Sequence, residues 1–353
     1  MSSTAAEKPS KVRSILPLLG SLQGYIGLVL VIAIGIITQG DRFLSVTNLT
    51  NAIAYFTPRG ILAIGMTLVI IAAGIDLSVG ALMAVGGTLS AWLLVDQGWP
   101  VLAIVPMAML VCAVFGLING AGTALLKIQA FVMTLAMMTI ARGIVREFSN
   151  NVSIGTVVIG PDGVLPGSRD FQKLGTPGAS LFDVPFLGSF PVLALLAVTI
   201  IAQIVLAKTK FGRHIYAVGG NPTAARLSGV NVTAVIIIVF TVSGLLAGLA
   251  GPINAAYNAS ADPVAGIGYE LDAIAAVVIG GASLAGGRGT AIGTFIGALI
   301  LTLLDNVLGL NNFSANWQMI IKGIIVIVAV VIQRPELFSD IGATTRRMFR
   351  RNP

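Results

Sequence analysis

Charge is what this chain of 353 residues is short of. Only 10% of it is Asp, Glu, Lys or Arg, while 56% is hydrophobic and the mean hydropathy is +0.95. Soluble domains carry about 25% charged residues, so the composition excludes a soluble fold and places the chain in a membrane. Cysteine and histidine are almost absent. Cys112 stands alone in an apolar run and has no partner for an internal disulfide, and one Cys with one His, His214, rules out zinc and iron–sulfur sites. A Ser/His/Asp hydrolase would need a histidine in the membrane-facing part, and none falls there. No Gly-Lys pair occurs anywhere, so the phosphate-binding loop of P-loop ATPases is missing, and GGRG at 286–289 lacks both the lysine and a preceding strand. The expectation is a chain that is not an enzyme and carries no metal or cofactor. The net charge of +7 does not point to nucleic acid, because the cations sit in short segments between apolar runs.

What is present is a series of about ten apolar runs, each near the roughly 20 residues a helix needs to cross a bilayer. They are Leu22–Thr38, Ile53–Ala73, Leu77–Val95, Val101–Leu126, Ala130–Phe148, Phe190–Ala207, Val232–Ala250, Leu271–Leu284, Thr290–Leu308 and Trp317–Ile332. The eighth is short and follows Glu270 and Asp272, which suits a tilted, broken or partly re-entrant segment. Ten spans put both termini on one side. With that side inside, fourteen Lys and Arg fall in inner segments and six (Arg42, Arg59, Arg142, Arg146, Arg169, Lys173) at outer ones, while Lys322 lies within the last run. The positive-inside rule then predicts cytoplasmic termini. The fold class expected is an all-α polytopic membrane protein. Its parts are a cytoplasmic tail (1–20), a transmembrane unit (21–333) and a basic cytoplasmic tail (334–353). Residues 149–189 form an external loop, read as an ordered cap. No cleavage signature interrupts the first run, so it is read as a retained span. Two Gly-rich joints, GIDLSVG (74–80) and GGASLAGGRG (280–289), each connect two runs without a soluble loop. Runs two to five and seven to ten have opposite orientation, and each block holds one joint, which is compatible with an inverted repeat.

Residues 208–231, KTKFGRHIYAVGGNPTAARLSGVN, break the apolar pattern with five cationic or titratable groups (Lys208, Lys210, Arg213, His214, Arg226) and no acid. Such a loop belongs in the cytoplasm. Its centre reads as a small helix: Asn221 at the N-cap, Pro222 in the first helical position, Thr223 to Ser228 completing the turns, and Gly229 ending them left-handed. A short capped helix there is a docking element for another protein, and His214 is a solvated or docking residue.

Ionisable and polar residues within apolar runs are costly and each calls for a role. Asp76 either caps the helix that follows it or contacts solute. Asp305 and Lys322, on neighbouring antiparallel runs, suit an ion pair. Glu270 and Asp272 either cap the eighth run or form a gate to an external partner. A neutral, hydroxyl-rich solute would need amides, hydroxyls and aromatic faces. Asn119, Phe131, Asn254, Tyr257, Asn258 and Tyr269 supply these, and with Asp76 they are candidates for a translocation path.

Three blocks carry a family resemblance: FGRHIYAVGGNPTAARLSGVNV (211–232), GMTLVIIAAGIDLSVGALMAVGG (65–87) and GYELDAIAAVVIGGASLAGGRGTAIGTFIGALIL (268–301). Together they resemble the permease subunits of bacterial ABC sugar importers, over residues from about 45 to 333. The resemblance implies a type II ABC importer-like fold in the inner membrane and transport of a monosaccharide, ribose or a similar sugar. It implies four kinds of partner: a cytoplasmic ABC ATPase that hydrolyses the ATP, a periplasmic or extracellular sugar-binding protein, a second permease copy (expected as a homodimer) and membrane lipid. It also implies that the helix at 221–228 is the coupling element, carried by Gly219, Gly220, Asn221, Pro222, Ala224, Ala225, Arg226 and Gly229. Permeases for inositol, nucleosides or branched-chain amino acids share the general pattern. An ion-coupled secondary transporter would need protonatable groups near the midplane, where only Asp305 and Lys322 qualify, and those two can neutralise each other.

Overall fold

A computed structural model describes residues 11–160, 163–176 and 189–332. The first ten residues of the N-terminal tail, parts of the 149–189 loop and the basic tail at 334–353 lie outside the described residues. The chain runs through α1 (Lys11–Gln39), α2 (Asp41–Leu44), α3 (Val46–Ile71), α4 (Val79–Val95), α5 (Val101–Ala124) and α6 (Ala130–Phe148). Then come the two-residue strands β1 (Ile154–Gly155), β2 (Ile159–Gly160) and β3 (Gly163–Val164), followed by α7 (Pro166–Gln172), α8 (Phe190–Lys208), α9 (Lys210–Gly220), α10 (Pro222–Leu227) and α11 (Val232–Tyr257). The last elements are β4 (Ser260–Ala261), α12 (Tyr269–Ile279), α13 (Ala291–Leu310) and α14 (Ala315–Ile332). Among the described residues, five helices (α3, α5, α8, α11 and α13) are long and apolar enough to cross a membrane. The protein is a multi-pass helical membrane protein.

Helix α11 is the central element, packed on α5, α4 and α3. Small residues set that packing, because in lipid close backbone approach replaces the hydrophobic effect as the source of helix association. Gly116 and Gly120 of α5 lie against the backbone of Phe240 and Ile237, while Gly244 and Gly248 of α11 lie against the carbonyls of Cys112 and Ala108; a Cβ at any of the four would overlap backbone atoms.

Several sequence boundaries shift. Helix α12 has 11 residues and stops at Gly280; at 1.5 Å per residue it is about 16 Å long, roughly half a hydrocarbon core. The eighth run is therefore a short helix followed by irregular backbone, with residues 280–290 non-helical. Helix α11 extends past the expected Ala250 to Tyr257 despite Pro252, and α3 begins at Val46, seven residues before the expected start. The second Gly-rich joint packs on the last turns of α3: the Gly287 N–H donates to the Ile71 carbonyl at 2.9 Å, and just past the joint Thr294 Oγ1 lies 2.6 Å from Thr67 Oγ1.

At the other end, β1 pairs antiparallel with β4 (Ile154 opposite Ala261), and Phe171 and Leu174 are buried with Leu93, Leu94, Ala255 and Ala256. The described part of the 149–189 loop is thus packed onto the ends of α4 and α11. Arg142 of α6 donates through Nη1 to the carbonyls of Pro263 (2.7 Å) and Ala265 (2.8 Å), which ties down the turn before α12.

Candidate functional site

The 208–231 segment folds as two helices where the sequence suggested one. Thr209 caps α9, accepting from Gly212 N at 3.0 Å. Asn221 ends α9 and caps α10: its Oδ1 accepts from Thr223 N at 3.0 Å and Ala224 N at 2.9 Å, with Pro222 in the first turn. Gly229, at φ +84°, ends α10 in the left-handed region, where glycine pays no steric penalty. Asn231 then caps α11 through Ala234 N at 3.0 Å. The hairpin is capped at every helix start, so its shape is held locally.

The two small helices differ in burial. Helix α9 buries Gly212, Ile215, Val218 and Gly219, whereas α10 buries only Ala225. Asn221, Pro222, Thr223, Ala224 and Arg226 face solvent, and Leu227 is 86% exposed. Ala225, expected among the docking residues, is turned into the bundle. Beneath them, three segments meet at backbone distance. Gly219 lies on the Ile71 carbonyl at the end of α3 and 2.8 Å (measured to an added Cβ) from Gly287 N. Tyr216 Oη donates to the Gly289 carbonyl at 2.6 Å. Burial raises the Tyr216 phenol above its ordinary pKa, which keeps it a donor. So α9 is hydrogen-bonded to the second Gly-rich joint and packs on the end of α3, and α10 projects from it. Gly220, by contrast, has open space where a Cβ would go.

A second polar feature lies deep in the bundle. Asp76 is fully buried; its Oδ1 accepts from Ser78 N (3.0 Å) and Ser78 Oγ (2.6 Å), and its Oδ2 accepts from Ser243 Oγ of α11 (2.8 Å). Asn119 of α5, also fully buried, donates to Ser78 Oγ at 2.9 Å. The N-cap position of α4 belongs to Ser78, which makes no side-chain cap bond. Asp76 thus accepts an amide at the start of α4, as the sequence suggested, and also ties that turn to α11. Asp76 and Asn119 form one buried network through Ser78.

The third feature is a four-charge cluster at mid-length of α3 and α14, in the first turn of α12 and in the second half of α13. Arg59 lies 3.6 Å from Asp272 and 3.8 Å from Asp305, and Lys322 lies 3.3 Å from Asp272 and 3.4 Å from Asp305. The Asp305–Lys322 pair is present, within a larger set. The N-cap of α12 is Gly268, and Asp272 pairs with the cations. Arg59 sits over the rings of Tyr55 and Tyr269, 4.3 Å from each centroid, and Tyr257 packs on Tyr55 at 5.8 Å. Tyr257 and Tyr269 thus converge on the cluster. Asn254 is half-buried on α11, and Phe131 is exposed on α6, apart from the cluster's helices. Tyr55, Arg59, Tyr216 and Leu227 were not singled out from sequence. Arg59 had the clearest signal, a cation thirteen residues into a long apolar helix.

Comparison with known proteins decides the family. Residues 48–330 match the family described as branched-chain amino acid transport system / permease component. The chain belongs to this permease family. The permease is 40% identical over 309 residues to the ribose import permease protein of Haemophilus influenzae, covering 88% of this chain and 91% of that protein. It is 40% identical over 316 residues to the ribose import permease protein of Bacillus subtilis, with 90% and 92% covered. Against the xylose transport system permease protein of Haemophilus influenzae it is 37% identical over 366 residues, with 88% and 96% covered. No solved structure is a significant match.

Proposed function

We propose that this permease is the membrane subunit of a binding-protein-dependent importer that moves a monosaccharide, ribose or a similar sugar, across the bacterial inner membrane. ATP is hydrolysed by a separate cytoplasmic subunit, and selectivity is set first by an external sugar-binding protein. The subunit has ten spans, cytoplasmic termini, an internal inverted repeat and a second copy of itself as partner in this reading. The observation that carries the proposal is α10: a capped helix, exposed at all but Ala225, standing on an α9 that is bonded to the bundle. Its exposed Leu227 and Arg226 fit a groove on the ATPase. ATP-driven movement of α10 would pass through α9 to the end of α3 and the second joint, and so along α3 and α13, as rigid-body gating. The ribose and xylose permeases named above support the sugar class; the family's description supports a branched-chain amino acid as the competing solute. The test is reconstitution in proteoliposomes with the ATPase and binding protein that co-purify. ATP-dependent uptake of ribose or xylose, and none of leucine, is expected. Accumulation by the permease alone, driven by a proton or sodium gradient, would refute the proposal.

A further inference from the structure

The charged cluster shows features that a purely structural tie does not need. Arg59 Nε and Asp305 Oδ1 are buried and make no hydrogen bond, although both groups are ion-paired. All four pair distances exceed the 2.7–2.9 Å of a tight charge-assisted hydrogen bond. Clefts open on both sides. One, of about 320 Å³, is lined by Arg59, Tyr269, Asp272 and Lys322; the other, of about 230 Å³, is lined by Tyr55, Tyr257, Asp305 and the amides of Asn51, Asn306 and Gln318. Small-molecule pockets run from about 300 Å³ upward, so the first cleft has room for a small solute and the second, somewhat smaller, extends the polar surface beside it. Between them lies a narrow gap lined by Arg59, Asp272 and Asp305.

Resting on the permease reading above, we propose that Arg59, Asp272, Asp305 and Lys322, with Tyr55, Tyr257 and Tyr269, form a contact site for a neutral, polyhydroxylated solute in transit. Two cations face two carboxylates, so the set has no net charge with which to favour an anion or a cation. It offers donors and acceptors in equal supply, which suits hydroxyl groups, since each hydroxyl both donates and accepts. The tyrosine rings supply the apolar faces that C–H surfaces of a sugar ring stack against. Loose pairing serves transit, because a solute that passes must be held weakly and released.

The test uses the complete importer, permease with ATPase and binding protein, in proteoliposomes with ribose as the probe. Uptake and ATP hydrolysis are measured together, with melting temperature in detergent as a third readout. Asp305→Asn keeps the shape and removes one charge; Tyr257→Phe keeps the ring and removes the hydroxyl. At least a tenfold fall in sugar moved per ATP for Asp305→Asn is expected, and at least threefold for Tyr257→Phe. ATPase activity should stay within twofold of the parent and the melting temperature unchanged. Unaltered sugar moved per ATP in both variants would overturn the site. So would uptake and ATPase falling together with a lowered melting temperature, which marks a helix tie. Failure of the unmodified importer to take up ribose or xylose with ATP would instead sink the permease reading.

Discussion

Gly219→Ala tests whether α9 transmits force. A Cβ at Gly219 would overlap the Ile71 carbonyl oxygen outright and come within 2.8 Å of Gly287 N. Ordinary contact needs roughly 3.5 Å or more, so the backbones must part by more than about 1 Å. Parting strains two bonds of the junction: Gly287 N to Ile71 O at 2.9 Å, and Tyr216 Oη to Gly289 O at 2.6 Å. Overpacking costs about 1–3 kcal/mol, and each lost hydrogen bond about 1 kcal/mol. A junction weakened by ~3 kcal/mol forms about 100-fold less favourably, at ~1.4 kcal/mol per factor of ten. The neighbouring Gly220→Ala is the control, because a Cβ there meets nothing within 4 Å; Ala also gains up to ~1 kcal/mol of helix propensity over Gly. In proteoliposomes with the ATPase and binding protein, Gly219→Ala should lose at least nine-tenths of ATP-driven uptake while ATP hydrolysis continues. Gly220→Ala should transport normally. Parental uptake by Gly219→Ala, from a protein inserted at the usual level, would refute the idea that movement passes through this contact.

Three further outcomes follow from the same geometry. Asn221→Ala removes the acceptor for two amides and should weaken α10 by about 0.5–2 kcal/mol; uptake should drop severalfold and recover in Asn221→Asp, as read in a transport assay. Leu227→Asp changes a residue that is 86% exposed and should leave the melting temperature alone, yet abolish co-purification of the ATPase. Asp76→Ala leaves the buried hydroxyls of Ser78 and Ser243 without their acceptor, at about 1–3 kcal/mol each; its melting temperature in detergent should fall well below that of Asp76→Asn, whose amide can still bond both.

The membrane class was legible because apolar runs and their interruptions are a local signal. So was α10, because Asn221, Pro222 and Gly229 each act on backbone within a few residues of themselves. Helix α9 was missed for a related reason: its buried residues Ile215, Val218 and Gly219 are spread among Lys210, Arg213 and His214, and hydropathy averages them to a polar loop. The partners of Asp76 and Asp272 were beyond reach. Ser243 is 167 residues from Asp76 and Lys322 is 50 from Asp272, so only the assembled bundle pairs them.

Helix α3 connects the contact under α9 to the charged cluster. Its last residue, Ile71, accepts from Gly287 and lies under Gly219, while Arg59, twelve residues earlier, anchors the charged cluster. At 1.5 Å per residue, that is about 18 Å along one helix. A helix transmits displacement along its axis unless its hydrogen-bond ladder is interrupted, and α3 is interrupted at Pro58, beside Arg59. Proline removes the bond that would reach the Ala54 carbonyl, and one residue away Thr57 Oγ1 bonds the Ile53 carbonyl at 3.0 Å. The segment between Pro58 and Ile71 is therefore a continuous rod, with its one weak point placed at the cluster. A push on Ile71 from α9 would reach Arg59 nearly undiminished and be taken up there as bending. That bending would shift the guanidinium against Asp272 and Asp305, whose pairings at 3.6 and 3.8 Å leave slack to move.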